Sequence, residues 1–247
     1  MMAGHIICAG LGPGEPDLIS LRADRAIRAA RAVAWFCKAG RQGQARRMVE
    51  GMLRPDAVEF PMEYPLTTEL PPDHPDYIAR MAAFYDACAV RLVEMAATSD
   101  VVVLCEGEPF LYGSFMHLQT RLQGRIPIEV IPGIPGMVGC WNAIGQPVTW
   151  GDDALIVLPG TLPQAELTAR MGAAEAIVVM KLGHNLPKVR RALAEAGRLP
   201  DAFLVEHGTM PGQRITPLAD HPGGDCPYFA LIVVHGHGRR PEAEGAA

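Results

Sequence analysis

Short apolar runs recur along the chain, separated by segments of helical period. In the first half Ile6-Ile7-Cys8-Ala9, Val33-Ala34-Trp35-Phe36, Ala57-Val58-Glu59-Phe60, Val101-Val102-Val103-Leu104-Cys105 and Ile128-Glu129-Val130-Ile131 read as five strands. Ser20 is placed to cap a helix predicted from Leu21 to about Ala32. Ile78, Met81, Tyr85, Cys88, Leu92 and Met95 recur at helical spacing along a long helix, and such a stripe reads as core rather than as a cofactor box. Another helix is predicted to begin near Ser114. The segment Pro61 to Pro75, rich in proline, threonine and acidic residues, predicts a loop or lid carrying Glu63 and Glu69 as solvated charges. Up to about Gly133 the pattern is that of one five-stranded α/β unit.

Four more strands follow: Ala154 to Leu158, Ala176 to Met180, Ala202 to Val205 and Phe229 to Val234. A helix from Pro187 to Ala196 comes after the loop Lys181-Leu182-Gly183-His184-Asn185. The stretch Ile134 to Gly151, with Trp141 in its middle, predicts the connection between halves, and the Gly-rich, charged tail after Gly236 should fray. The predicted division is 1–135 and 136–247.

Three strands run into glycine-proline turns: Gly10-Leu11-Gly12-Pro13-Gly14, Glu106-Gly107-Glu108-Pro109 and Pro132-Gly133-Ile134-Pro135. Backbone at the carboxyl ends of parallel strands is where open α/β sheets hold ligands. Glycine lets backbone approach a ligand, and proline stiffens the loop. A dinucleotide fingerprint would need glycine or alanine at position 15, where Glu15 would face the pyrophosphate. No Gly-Lys-Ser/Thr run offers a phosphate cradle. Acidic loops suit a ligand with hydroxyls, an amine or a positive charge and no phosphate, a description that S-adenosylmethionine meets.

Composition narrows the class. The chain has 247 residues, is 49% hydrophobic and carries a formal net charge of -5. That length permits one large domain or two small ones, and the negative balance argues against a nucleic-acid partner. No apolar stretch approaches the roughly 18 residues of a membrane span, and Met1-Met2-Ala3-Gly4-His5 does not read as a signal peptide. A cytoplasmic protein is expected. The six cysteines are dispersed without a C-x-x-C pair, so they suggest neither a disulfide framework nor a zinc site. His235-Gly236-His237 lacks a third ligand, and no metal is expected.

Four motifs together carry a family resemblance. They are Gly10-Leu11-Gly12-Pro13-Gly14-Glu15-Pro16-Asp17-Leu18, Glu106-Gly107-Glu108-Pro109-Phe110-Leu111-Tyr112-Gly113-Ser114-Phe115, Val130-Ile131-Pro132-Gly133-Ile134 and Glu206-His207-Gly208-Thr209-Met210. In this order and spacing the chain resembles the tetrapyrrole methylases of corrin and sirohaem biosynthesis over nearly its whole length. Within the family it is similar to the branch that methylates precorrin-2 at C20. The stretches that carry this are Glu63 to Leu70, Tyr112 to Met116, Val157 to Pro163 and Met180 to Val189.

The resemblance implies two α/β domains with S-adenosylmethionine in the cleft between them, a homodimer, and direct methyl transfer to a reduced tetrapyrrole. Carried over residue by residue, it implies cofactor contacts from Pro13, from Glu106, Gly107, Glu108 and Leu111, and from Pro135 and Gly136. Met180, Leu182, Gly208, Ala230 and Leu231 complete that set. Tyr112 is the candidate for a catalytic position near the reacting carbon. Arg41, Arg46, Arg47, Lys181, Lys188, Arg190 and Arg191 are candidates for the substrate carboxylates, against the plainer reading of solvated helix ends. Two positions depart from the family pattern: Glu108 stands for the usual aspartate, and Pro135 for a hydroxyl residue. A cobalt-loaded substrate methylated at the same carbon, and a non-catalytic corrinoid-pathway binding protein, remain alternative readings.

Overall fold

In the computed structural model, which describes residues 4–67, 69–71 and 73–240, the two halves of the chain build separate sheets. The chain divides into two units, Met1–Gly136 and Met137–Ala247.

The first sheet is parallel throughout. It comprises β1 (Ile6–Gly10), β2 (Ala32–Lys38), β3 (Val58–Tyr64), β4 (Val101–Cys105) and β5 (Ile128–Ile131), in the order β3-β2-β4-β1-β5. Side chains alternate between the two faces with period two. Ile6, Cys8, Val101, Val103 and Cys105 meet the long helix α3 (Pro75–Ala96) and α4 (Phe115–Leu122). Ala9, Val33, Val102 and Leu104 meet α1 (Leu21–Ala29) and the short α2 (Gln44–Met48). Leu92 and Phe115 are wholly buried, each contributing on the order of 1.5–3 kcal/mol of hydrophobic stabilisation. Ser20 does cap α1, its hydroxyl accepting from the Ala23 amide at 3.3 Å.

Two expectations need correction here. The segment from Pro61 is not loop from its start, because β3 continues through Pro61 to Tyr64. β3 is an edge strand paired with β2 alone, a position that tolerates a proline. Glu63 is therefore a strand residue and not part of a lid; it is exposed, as expected, and its carboxylate accepts the Gly40 amide at 3.0 Å. Glu69 accepts the Thr67 amide, while Thr68, within the stretch quoted for the C20 branch, lies outside the described residues. The second correction concerns Ile78, which is 56% exposed although the rest of its stripe, Met81 to Met95, is buried. It lies in the first turn of α3.

The second sheet is mixed. It comprises β6 (Leu155–Pro159), β7 (Ala176–Met180), β8 (Ala202–Glu206), β9 (Arg214–Pro217) and β10 (Ala230–Val234), ordered β6-β7-β10-β8-β9. β10 runs antiparallel to both β7 and β8, and its first residue, Ala230, pairs with the last of β8, Glu206. The start of β10 thus shares an edge with the carboxyl ends of β7 and β8. One face packs on α6 (Gln164–Gly172) and α7 (Leu186–Glu195), through Leu167, Met171, Leu186, Val189 and Leu193. The other packs on α5 (Gly136–Ile144), through Cys140 with Met137, Trp141 and Ile144. Half of the connection expected over Ile134 to Gly151 is therefore helix, α5. β9 and α6 were not anticipated. Of the tail after Gly236, residues 241–247 lie outside the described residues. Among the described residues no helix is long and apolar enough to cross a membrane.

Candidate functional site

The strand order of the first unit creates a switch point. After β1 the chain passes to the β2 side, whereas after β4 it passes to the β5 side, so a crevice is expected outside the carboxyl ends of β1 and β4. The three glycine-proline turns meet there. Leu11 N–H donates to the Cys105 carbonyl at 2.8 Å, and Gly107 N–H to the Gly12 carbonyl at 2.9 Å. A Cβ on Gly133 would lie 2.1 Å from the Gly107 carbonyl oxygen and 2.8 Å from the Gly10 carbonyl carbon. Only glycine allows backbones to pass this closely.

Glu106, Gly107 and Glu108 tie three different segments together. One oxygen of Glu106 accepts the Ala45 amide, in the first turn of α2, at 2.9 Å. Gly107 holds the first turn. Glu108 accepts the Phe110 amide at 3.1 Å with one oxygen and the Gly133 amide at 2.9 Å with the other. Both carboxylates thus have an inward backbone partner, leaving their remaining lone pairs for anything outside. Burial raises the Glu106 carboxyl above the ordinary range although part of the side chain reaches solvent, and the Ala45 amide opposes the rise.

The other residues expected in this unit lie on the same loops. Pro13 is buried, Leu111 is half-buried with its amide bonded to the Glu108 carbonyl at 3.1 Å, and Pro135 and Gly136 are half-buried. Tyr112 is 39% exposed with φ 55°, a left-handed conformation.

In the second unit the expected residues share one edge but divide between its faces. Met180 and Leu231 join the cluster around α5, whereas Leu182 and Ala230 join the cluster around α6 and α7. Leu182 is 1% exposed, its backbone included. Gly208 follows β8, and a Cβ there would come within 2.4 Å of the Cys140 Sγ. Among the described residues, the non-glycine residues at positive φ are Tyr112, on the loop after β4, and Lys181, His207 and Thr209, just beyond β7 or β8. Strained backbone gathered at strand ends is a common mark of functional loops.

The comparisons with known proteins identify the family. The tetrapyrrole (corrin/porphyrin) methylase family matches residues 5–220. The chain belongs to that family. A precorrin-2 C(20)-methyltransferase of Sinorhizobium sp is 49% identical over 239 residues, covering 96% of this chain and 98% of that protein. A cobalt-precorrin-2 C(20)-methyltransferase of Salmonella typhimurium is 24% identical, over 95% of this chain and 97% of that one. The structure of uroporphyrin-III C-methyl transferase from Thermus thermophilus complexed with S-adenyl homocysteine shares the fold, with a TM-score of 0.65 at 18% identity, over 94% of this chain and 92% of that one.

In this methylase the basic candidates differ in exposure and in the partners that the structure gives them. Arg46 is bonded twice to Glu59, at 2.6 and 3.0 Å, and its guanidinium lies 5.9 Å from the Trp35 ring centroid. Arg190 donates to the Ala219 carbonyl at 3.1 Å and Arg191 to Gln164 at 3.2 Å. Lys188 donates to Asn185 at 3.1 Å, and burial lowers its pKa. Arg41, Arg47 and Lys181 are exposed. His235 is buried with Nδ1 2.9 Å from the Pro147 carbonyl, whereas His237 is exposed 3.6 Å from Asp201. Among the described residues no group of three or more His, Cys, Asp or Glu could hold a metal ion.

The sequence reading did not single out Thr209 or Ala45. Thr209 appears in a motif, but its backbone conformation and its buried, unpartnered hydroxyl become visible only in three dimensions. Ala45 contributes an amide, which no residue type announces.

Proposed function

We propose that this protein transfers the methyl group of S-adenosylmethionine to C20 of precorrin-2, giving precorrin-3A in cobalamin biosynthesis, as a cytoplasmic homodimer. The observation that carries the reading is the 49% identity, over 96% of this chain, to a protein named for that reaction. The donor set fits the cofactor. The first unit presents glycine-proline backbone and two carboxylates, which suits a ribose, an amine and a sulfonium. The second adds apolar Met180, Leu182, Ala230 and Leu231 together with Gly208.

When bound, S-adenosylmethionine supplies an electrophilic methyl group. The nucleophile would belong to the substrate: its electron-rich meso carbon would take the methyl as the carbon–sulfur bond breaks and S-adenosylhomocysteine leaves, and that carbon would then lose its proton to solvent or a base. The protein's part is alignment and the exclusion of water. Pro13, Gly107, Leu111, Pro135 and Gly136 supply backbone and apolar surface from the first unit, while Glu106 and Glu108 keep those loops in register. Tyr112 stands beside them as the side chain closest in role to the reacting carbon. Among the basic candidates, the exposed Arg41, Arg47, Lys181 and Arg191 are the ones we assign to the substrate's carboxylates.

The test is incorporation of labelled methyl from S-adenosylmethionine into metal-free and cobalt-loaded precorrin-2, with the product mapped by mass spectrometry and NMR. Methylation of the metal-free substrate at C20 is expected to be the faster. A preference for the cobalt form would favour the second reading, whose support is the Salmonella typhimurium relative at 24% identity. Incorporation at another carbon, or none, would overturn the proposal.

A further inference from the structure

Thr209 combines two unfavourable features that seldom meet in one residue. It is β-branched yet holds φ at 61°, in the left-handed region that such side chains avoid. Its Oγ1 is buried and has no hydrogen-bond partner, and a buried hydroxyl left unpaired is costly. The backbone around it is nonetheless fixed. The Thr209 amide donates to Gln213 Oε1 at 2.7 Å, Met210 N–H donates to the His207 carbonyl at 2.9 Å, and Gln213 N–H to the Met210 carbonyl at 3.1 Å. On the other side Gly208 is seated against Cys140. The fold therefore holds the hydroxyl in place without giving it anything to bond.

Thr209 follows Gly208, and β8 leads into this turn beside the first residue of β10, Ala230. Gly208 and Ala230 are both positions assigned to the cofactor in the reading above. Backbone strain and an unsatisfied buried polar group cluster at active sites and ligand clamps. We propose that the Thr209 hydroxyl is a cofactor contact, hydrogen-bonding a polar group of bound S-adenosylmethionine. This rests on the methyltransferase reading and adds to it a side-chain donor from the second unit.

The substitution Thr209→Val preserves shape and branching while deleting the hydroxyl. Without ligand the variant should melt at or above the parent temperature, since an unpaired buried group has been removed. Its affinity for S-adenosylhomocysteine, measured by calorimetry, should fall about tenfold, the worth of one net hydrogen bond. Thr209→Ser should bind within about twofold of the parent, and Thr209→Ala should repeat the loss. Stability and affinity moving in opposite directions is the signature that a purely structural threonine would not give. A parent protein that fails to bind S-adenosylhomocysteine would overturn the methyltransferase reading and this contact with it. A parent that binds, with a valine variant that binds equally well, overturns the contact alone. So does a valine variant whose only change is a raised KM for the tetrapyrrole.

Discussion

The Glu108 carboxylate reaches across to the third strand-end turn and accepts the Gly133 amide at 2.9 Å, while its other oxygen accepts the Phe110 amide of its own loop at 3.1 Å. The side chain thus spans two turns, and its length matters. Glu108→Asp, shorter by one methylene, should lose at least one of these bonds. An amide left unpaired there costs about 1–3 kcal/mol. Denaturant unfolding should show the loss, and hydrogen exchange should locate it at Gly133. An aspartate variant with parental stability and parental exchange at Gly133 would mean that the brace is not needed.

Gly133 and Gly136 lie three residues apart but differ in what surrounds them. A methyl group on Gly133 meets the Gly107 carbonyl oxygen at 2.1 Å, whereas one on Gly136 meets nothing within 4 Å. Gly133→Ala should therefore lower the melting temperature and weaken S-adenosylhomocysteine binding together. Gly136→Ala should leave melting unchanged, so any loss of affinity in it reports direct contact with the ligand. Calorimetry beside thermal melts separates the two. Equal stability of the alanine variants would contradict the close packing of the three turns.

The seat of Gly208 on Cys140 predicts coupling between two positions far apart in sequence. Gly208→Ala alone places a methyl group 2.4 Å from the Cys140 Sγ and should destabilise by about 1–3 kcal/mol, the usual range for overpacking. In a Cys140→Ala background the same change should cost less. A double-mutant cycle measures the difference, and strict additivity would argue against the contact.

Because burial raises the folded pKa of Glu106, folding favours its protonated form. That contribution is full below the unfolded value of about 4.3 and is lost as pH rises through the raised folded value. Glu106→Gln cannot titrate, yet it retains an acceptor for the Ala45 amide. The variant should match the parent near pH 4 and become relatively more stable toward pH 7, as read by melting temperature across that range. A difference that does not change with pH would remove burial as the dominant influence on this carboxyl.

Thiol accessibility checks the cores of both units. Burial pushes Cys88 and Cys140 up to about 12, and it raises Cys8 as well, where the Cys105 sulfur at 3.4 Å adds to the effect. The thiolate is the reactive form. Cys226 is half-buried while the other five are buried. An aromatic disulfide reagent at mild pH should modify Cys226 first, and all six cysteines only after unfolding. Rapid native labelling of Cys88 or Cys140, mapped by peptide mass spectrometry, would be inconsistent with this packing.

Much of this architecture was legible because buried strands announce themselves as apolar runs. β1, β4, β7 and β10 fall within a residue of where the pattern puts them. The misses have local causes. Pro61 looked like the start of a loop because proline usually ends a strand, and its tolerance on β3 depends on there being no neighbour beyond it. β9 has four residues, two of them polar or charged, too short for a period to show. α5 is interrupted by Gly136 and Gly139, which weaken a helical reading until Cys140 and Trp141 are seen to pack on the sheet. For the site, sequence supplied the loops but not their wiring. Glu106 and Glu108 read as charges awaiting a ligand, whereas their partners are amides 61 and 25 residues away. Backbone partners at that distance leave no trace in residue type.

The reversed direction of β10 has a practical result. The chain joins this strand beside the turns that follow β7 and β8, and it leaves at the opposite margin of the second sheet. There His235, Gly236 and Gly238 are pinned to Pro147, Val148 and Asp153, and Arg240 lies over the Trp150 ring. An affinity handle, a fluorophore or a fused enzyme attached after Arg240 is therefore tethered on the side away from those turns, so the protein can be immobilised or yoked to a neighbour in the reaction sequence through that end while its strand-end loops stay open.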